Sequence, residues 1–109
     1  MDVVIFGTGI NAQRAIHYIE KRYNILWCVD NNKSKIGKYV DKYIVRSVQS
    51  LHTYKGYIII IAANCTYEIV KQLEELGIDR RHMLSLVCTY AEGDYNFDIY
   101  PIRKRKFII

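Results

Sequence analysis

The chain is short of nearly everything that marks a secreted, membrane-spanning or low-complexity protein. Its three cysteines, Cys28, Cys65 and Cys88, are an odd number, widely spaced and without a C-x-x-C pair. No disulfide framework is implied, and reduced thiols in a cytosolic protein are expected. The longest apolar run, Tyr57 to Ala63, stops far below the roughly 18 residues that cross a bilayer, so no membrane span is expected. Met1 leads straight into a strand-like run with no basic leader or apolar signal segment, which gives a cytoplasmic expectation. No internal repeat is visible. Also missing is a second half: 109 residues make one domain with one core, whereas a full dehydrogenase normally carries a further, substrate-holding domain. The chain therefore reads as a binding module or as a piece of a longer protein.

Charge is concentrated rather than spread. The formal net charge is +5, and Arg103, Lys104, Arg105 and Lys106 supply four of those charges, leaving the body before them close to neutral. A nucleic-acid footprint covers a folded face, so this distribution leads to the expectation of no nucleic acid as a partner. A hydrophobic content of 50% with 25% charged residues argues against disorder.

What the chain does have begins at its second residue. Val3, Val4, Ile5 and Phe6 form an unbroken run of strand formers, the pattern of a parallel strand buried on both faces. Gly7 and Gly9, with Ala12 three residues on, spell G-x-G-x-x-A. Such a turn is tight, lets backbone approach a phosphate and lets a helix pack closely on its strand. Ala12, Ala15, Ile16, Ile19 and Tyr23 then share one helical face, opposite Arg14, His17, Glu20 and Lys21. Ile25 to Val29 is a second apolar strand ending on Asp30. An acid about 20 residues past the glycines of a βαβ unit can accept hydrogen bonds from ribose hydroxyls.

Asn31 to Lys38 is a polar loop leaving that strand. It places Asn31 and Asn32 where they can meet a base or ribose, and Lys33 and Lys35 where they can meet phosphate. Tyr43 to Val45 reads as a short edge strand, and Ser47 as the cap of a brief helical turn to about Leu51. Tyr57 to Ala63 reads as the central strand. The resulting expectation is a doubly wound, three-layer α/β/α domain with a parallel sheet in the order 3-2-1-4-5. Ligands bind such sheets where the first and fourth strands part, so Ala63 and Asn64 should face Gly7 and Gly9 across the crevice. Asn64 or Thr66 is expected to cap the next helix, whose apolar face is Ile69, Val70, Leu73 and Leu76 and which stops at Gly77. Met83 to Val87 is the last expected strand. From Thr89 periodicity is lost, with a turn at Gly93 and Asp94 and a break at Pro101. The chain thus divides into a domain over 1–88 and an extension over 89–109 that packs on the sheet, contacts a second copy or starts a further domain.

Other chemistry finds little support. Tyr67 and Lys71 form a Y-x-x-x-K, but with 10 tyrosines in the chain that spacing arises by chance, and it falls too early for a short-chain dehydrogenase. His17, His52 and His82 lie apart, without metal-ligand spacing. Cys65 stands at a helix amino end, where thiolate is favoured, yet no base is visible beside it.

With Val-Ile-Phe-Gly-Thr-Gly, the Val-Asp-Asn-Asn-Lys-Ser-Lys-Ile-Gly loop, the Ile-Ile-Ile-Ile-Ala strand and the Gln-Leu-Glu-Glu-Leu-Gly-Ile helix end in view, a likeness can be named. Over Met1 to Val87 the chain resembles the Rossmann-like domains of bacterial surface-polysaccharide biosynthesis proteins. Similar segments precede nucleotide-sugar epimerase and dehydratase modules, sugar acetyltransferases and some glycosyl- or methyltransferase regions. The resemblance implies that Gly7, Gly9 and the loop from Asp30 to Asn32 surround a nucleotide, which is a nucleotide-sugar in acetyltransferase relatives and NAD(P) in dehydratase relatives. Ala12 stands where a third glycine is usual, and the catalytic domain of all these enzymes is missing.

The leading expectation is a nucleotide-binding module rather than a complete enzyme. Phosphate is met by backbone at Thr8, Gly9, Ile10 and Asn11 with the helix amino terminus, and ribose by Asp30. NAD is favoured over NADP because Asp30 would repel a ribose 2′-phosphate. The alternative is an interaction or regulatory domain with a degenerate pocket, dimerising through Tyr95 to Ile109. A weaker reading is a small complete enzyme using Tyr67 or Cys65.

Overall fold

The computed structural model describes residues 1–53 and 55–102. The basic run Arg103 to Lys106 and the end of the expected dimer segment lie outside the described residues. The chain runs through β1 (Asp2–Phe6), α1 (Ile10–Glu20), β2 (Asn24–Val29), β3 (Tyr39–Val40), β4 (Tyr43–Arg46), β5 (Ile58–Ile61), α2 (Thr66–Glu75), β6 (Met83–Ala91) and β7 (Asp94–Pro101). Short 3-10 segments at Lys33–Lys35, Val48–Thr53 and Arg80–His82 complete the path.

All seven strands join one sheet in the order β3-β4-β2-β1-β5-β6-β7. Pairing is parallel from β4 through β2, β1 and β5 to β6. This is an α/β, Rossmann-like architecture. The expectation of a wholly parallel sheet is corrected at both edges, where β3–β4 and β6–β7 pair antiparallel. Tight hairpins impose those reversals. Asp41 (φ 54) opens the first turn, and Glu92 (φ 54) with Gly93 (φ 80) forms the second, the left-handed pair that suits a two-residue hairpin.

Tyr43 to Val45 is consequently not an edge, because β3 lies outside it. The segment after Thr89 is not aperiodic either. Tyr95, Phe97 and Ile99 alternate with Asn96, Asp98 and Tyr100, the period of a strand, and Phe97 and Ile99 pack against the α1 side of the core. That alternation was present in the sequence, as was the turn before it.

β1 is apolar on both faces because both are covered. Val3 and Ile5 meet Ala12, Ala15, Ile16 and Ile19 of α1 on one side. Val4 and Phe6 meet Ile69, Val70 and Leu73 of α2, with Val48 and Leu51, on the other. α2 closes where the Ile78 N–H bonds the Leu73 carbonyl at 3.1 Å, with Ile78 buried as the apolar contact of that helix stop. Ile61 of β5 registers with Ser85, and beyond it residues 86–91 of β6 pair with β7, with Phe97 against Tyr18 of α1. Arg14 of α1 stacks over Tyr95 at 4.1 Å. Among the described residues no helix is long and apolar enough to cross a membrane.

Candidate functional site

The carboxyl ends of β1 and β5 part at a cleft of about 260 Å³. Gly7 makes the turn out of β1 at φ +108, with its N–H held by the Val29 carbonyl at 2.9 Å. A Cβ on Gly7 would meet Ala63 Cβ and the Ala63 nitrogen at 3.1 Å, so both backbone geometry and the closeness of β5 demand glycine there. Gly9 differs. It has φ −76 and ψ −167, which any residue adopts, and a Cβ built on it meets nothing within 4 Å. The protein's own packing does not explain this glycine.

Both helices that start at the cleft begin without a side-chain cap. α1 starts after Gly9 and α2 after Cys65, neither with a side-chain hydrogen bond to its first turn. The expectation that Asn64 or Thr66 caps α2 is corrected: the Thr66 hydroxyl turns back to the Ala63 backbone carbonyl at 3.3 Å, and Asn64 Oδ1 accepts from Asn11 Nδ2 at 3.4 Å. First-turn N–H groups of a helix have no intrahelical partner, and the helix dipole adds positive potential there. No acidic residue stands in the first turn of α1.

Asp30, at the end of β2, turns its carboxylate to the glycine turn. Oδ2 accepts from the Thr8 N–H at 2.9 Å and from the Thr8 hydroxyl at 2.5 Å, while Oδ1 accepts from the Asn32 N–H at 2.8 Å. Burial pushes the carboxyl up, but the Thr8 hydroxyl, the Asn32 and Thr8 N–H groups and the Lys35 charge together hold it below the usual carboxylate range. The thiol of Cys28 beneath is pushed up to about 12 by burial and by Asp30, so it stays protonated at neutral pH.

Of the residues expected to surround a nucleotide, Gly7, Thr8, Gly9, Ile10, Asn11, Asp30, Asn31, Ala63 and Asn64 line this cleft. Asn32 does not. Its side-chain oxygen caps the 3-10 turn at Lys33–Lys35, accepting from the Ser34 N–H at 3.0 Å and the Ser34 hydroxyl at 2.7 Å. Lys35 reaches the cleft, whereas Lys33 lines an adjoining hollow of about 500 Å³ that shares Asp30 and Asn31 and is closed by Ile36, Val48 and Gln49. Asn31 and Gln72 of α2 exchange paired amide hydrogen bonds of 3.0 and 2.9 Å beside it. Nothing in the sequence marked Gln72, a half-buried helix position, or Ile36. Cys65 lines the cleft, while Tyr67 and Lys71 do not.

Larger hollows, of about 670 and 680 Å³, lie beside Arg80 and Met83 and beside Trp27 and Tyr57. Neither combines a glycine turn, a helix amino end and a carboxylate.

A family model described as C2185-like, N-terminal, matches residues 1–84. No curated protein sequence matches the chain. Among solved structures, RSP, a Rex-family repressor, superposes with a TM-score of 0.56 at 19% identity, over 71% of this chain and 41% of that one. RSP in complex with β-NAD+ and operator DNA gives 0.55 at 19%, over 71% and 40%. UDP-D-quinovosamine 4-dehydrogenase from Vibrio fischeri gives 0.62 at 11%, over 89% and 92%. The chain thus spans about two fifths of the repressor.

These likenesses establish the Rossmann-type fold, and they correct the exclusion of nucleic acid. RSP has this fold and is solved on operator DNA. A near-neutral body over part of a chain says nothing about where the remaining chain carries its charge, so the net charge of one domain does not exclude such a partner.

Proposed function

We propose that this chain, which belongs to the C2185-like, N-terminal family, is a nucleotide-binding module whose ligand is NAD(P) or a nucleotide-diphosphate sugar, with NAD ahead of NADP. Gly9 carries the reading. A glycine at an ordinary backbone angle, with open space where its Cβ would stand, is accounted for by close approach of a ligand phosphate to the backbone. Around it, the N–H groups opening α1 would face the phosphates. Asp30 would take a ribose hydroxyl, and the hollow bounded by Ile36 and Val48 would take the base. The bound nucleotide would bring redox or sugar chemistry; the chain itself would bind and orient it. That RSP is solved with β-NAD+ and that the Vibrio fischeri protein is a UDP-sugar dehydrogenase both support the assignment. In this reading 1–88 is the binding domain, and a role in bacterial polysaccharide biosynthesis, beside an epimerase, dehydratase or transferase domain, follows from the motif resemblance.

Calorimetric titration with NAD+, NADP+ and a UDP-sugar tests this. Saturable binding of NAD+ or the UDP-sugar, with NADP+ weaker, is expected; no binding of any of the three at millimolar concentration overturns the reading. A second reading, a regulatory domain, is favoured by the likeness to a repressor. It predicts that nucleotide changes the behaviour of an attached domain rather than being turned over.

A further inference from the structure

Asp30 is not a loose carboxylate. A carboxylate offers about four acceptor positions, and three of those on Asp30 are taken by the Thr8 hydroxyl, the Thr8 N–H and the Asn32 N–H. Thr8 is 3% exposed, so its hydroxyl reaches Oδ2 from the protein side. What remains is one acceptor position on Oδ1, fixed in direction because Oδ2 is pinned.

We infer that Thr8 is a positioning residue that sets ligand selectivity through Asp30: it locks the carboxylate so that one oxygen offers a single acceptor to a neutral ribose hydroxyl and cannot swing away from a ribose phosphate. This deepens the nucleotide reading above and rests on it. An unpinned aspartate meeting a 2′-phosphate can rotate aside or take up a proton, either of which relieves the repulsion. A pinned one resists both. The motif supplies the glycines for turning and close approach, but the residue between them is free to vary in it; here that residue reaches the acid at the end of the next strand. Lys35, from the 3-10 turn, is the cation facing the carboxylate. Cys28 lies behind it on β2 and stays protonated, and the Arg46 guanidinium on β4 is stacked on Trp27 at 4.5 Å.

The test is Thr8→Val, which keeps shape and removes the hydroxyl, with Thr8→Ser as the conservative rescue. In the valine variant NAD+ affinity should fall by up to roughly tenfold, because a carboxylate no longer held in place must be ordered on binding, while NADP+ affinity falls less or rises, so that discrimination narrows. Serine should restore it. The affinity for NAD+ should also begin to fall at a higher pH in the valine variant than in the parent, because the carboxyl no longer has the hydroxyl holding it ionised. A 13C titration of the Asp30 carboxyl, parent against Thr8→Val, reads the lock without any nucleotide: an upward shift is expected. If that shift appears but the NAD+ to NADP+ ratio is unchanged, the selectivity inference is overturned and the binding reading stands. No upward shift removes the lock itself. If the parent protein binds neither nucleotide, the binding reading falls and takes the selectivity with it.

Discussion

Gly7 and Gly9 look alike in the sequence and have different physical reasons to exist. Gly7→Ala forces a side chain into φ +108 and against Ala63 at 3.1 Å, which should cost about 2 kcal/mol of stability. Gly9→Ala meets nothing within 4 Å and restricts the unfolded chain, so thermal unfolding should be unchanged or shifted slightly upward. Its nucleotide affinity should nonetheless drop by about tenfold, because the methyl stands where phosphate must approach. Differential scanning calorimetry and ligand titration on the two variants separate fold from function. Equal losses of stability in both would remove the case for Gly9. The sequence motif could not make this distinction, since spacing does not report what a missing Cβ would touch. Nor could it show that Asp30 is held by Thr8, a contact between residues 22 apart that depends on how two strand ends are set beside each other.

At the scale of elements, the fastening between α1 and the β3–β4 hairpin is polar and sensitive to pH. Glu20 Oε2 accepts from the Tyr43 hydroxyl at 2.5 Å and meets Lys42 Nζ at 3.2 Å, and Oε1 meets His17 Nδ1 at 2.9 Å. Tyr43 first, then His17, with Lys42 adding to them against desolvation, hold the Glu20 carboxyl down at about 2. Because the folded value lies below the ordinary glutamate value, the stabilisation is fully present above roughly pH 4.3 and is lost as pH falls towards 2. The gap in melting temperature between the parent and Glu20→Gln should therefore shrink steadily between pH 5 and 2; a gap that does not change with pH would contradict this.

Elements with long uniform signals were legible beforehand. β1, β2 and β5 are unbroken apolar runs, and α1 and α2 carry apolar residues at helical spacing. β3, with two residues, is too short to leave a pattern. β7 escaped because its tyrosines suit either face of a strand, hiding the alternation of Phe97 and Ile99.

For the molecule as a whole, the sheet is closed on one side by a two-residue strand and on the other by an eight-residue one. Removing residues 92–109 should uncover the β6 edge along its full length, lowering the melting temperature and making the sedimentation coefficient rise with protein concentration, as exposed strand edges find one another. A truncated chain that stays monomeric and equally stable would show that β7 contributes nothing to the body. The central place of β1 has a consequence during synthesis. Its neighbours are β2, 22 positions later at Asp2↔Asn24, and β5, 55 positions later at Val3↔Ile58. A nascent chain leaving the ribosome therefore holds the apolar β1 half-paired until residue 61 has emerged. During that interval a chaperone, or another nascent chain, has its best opportunity to bind it.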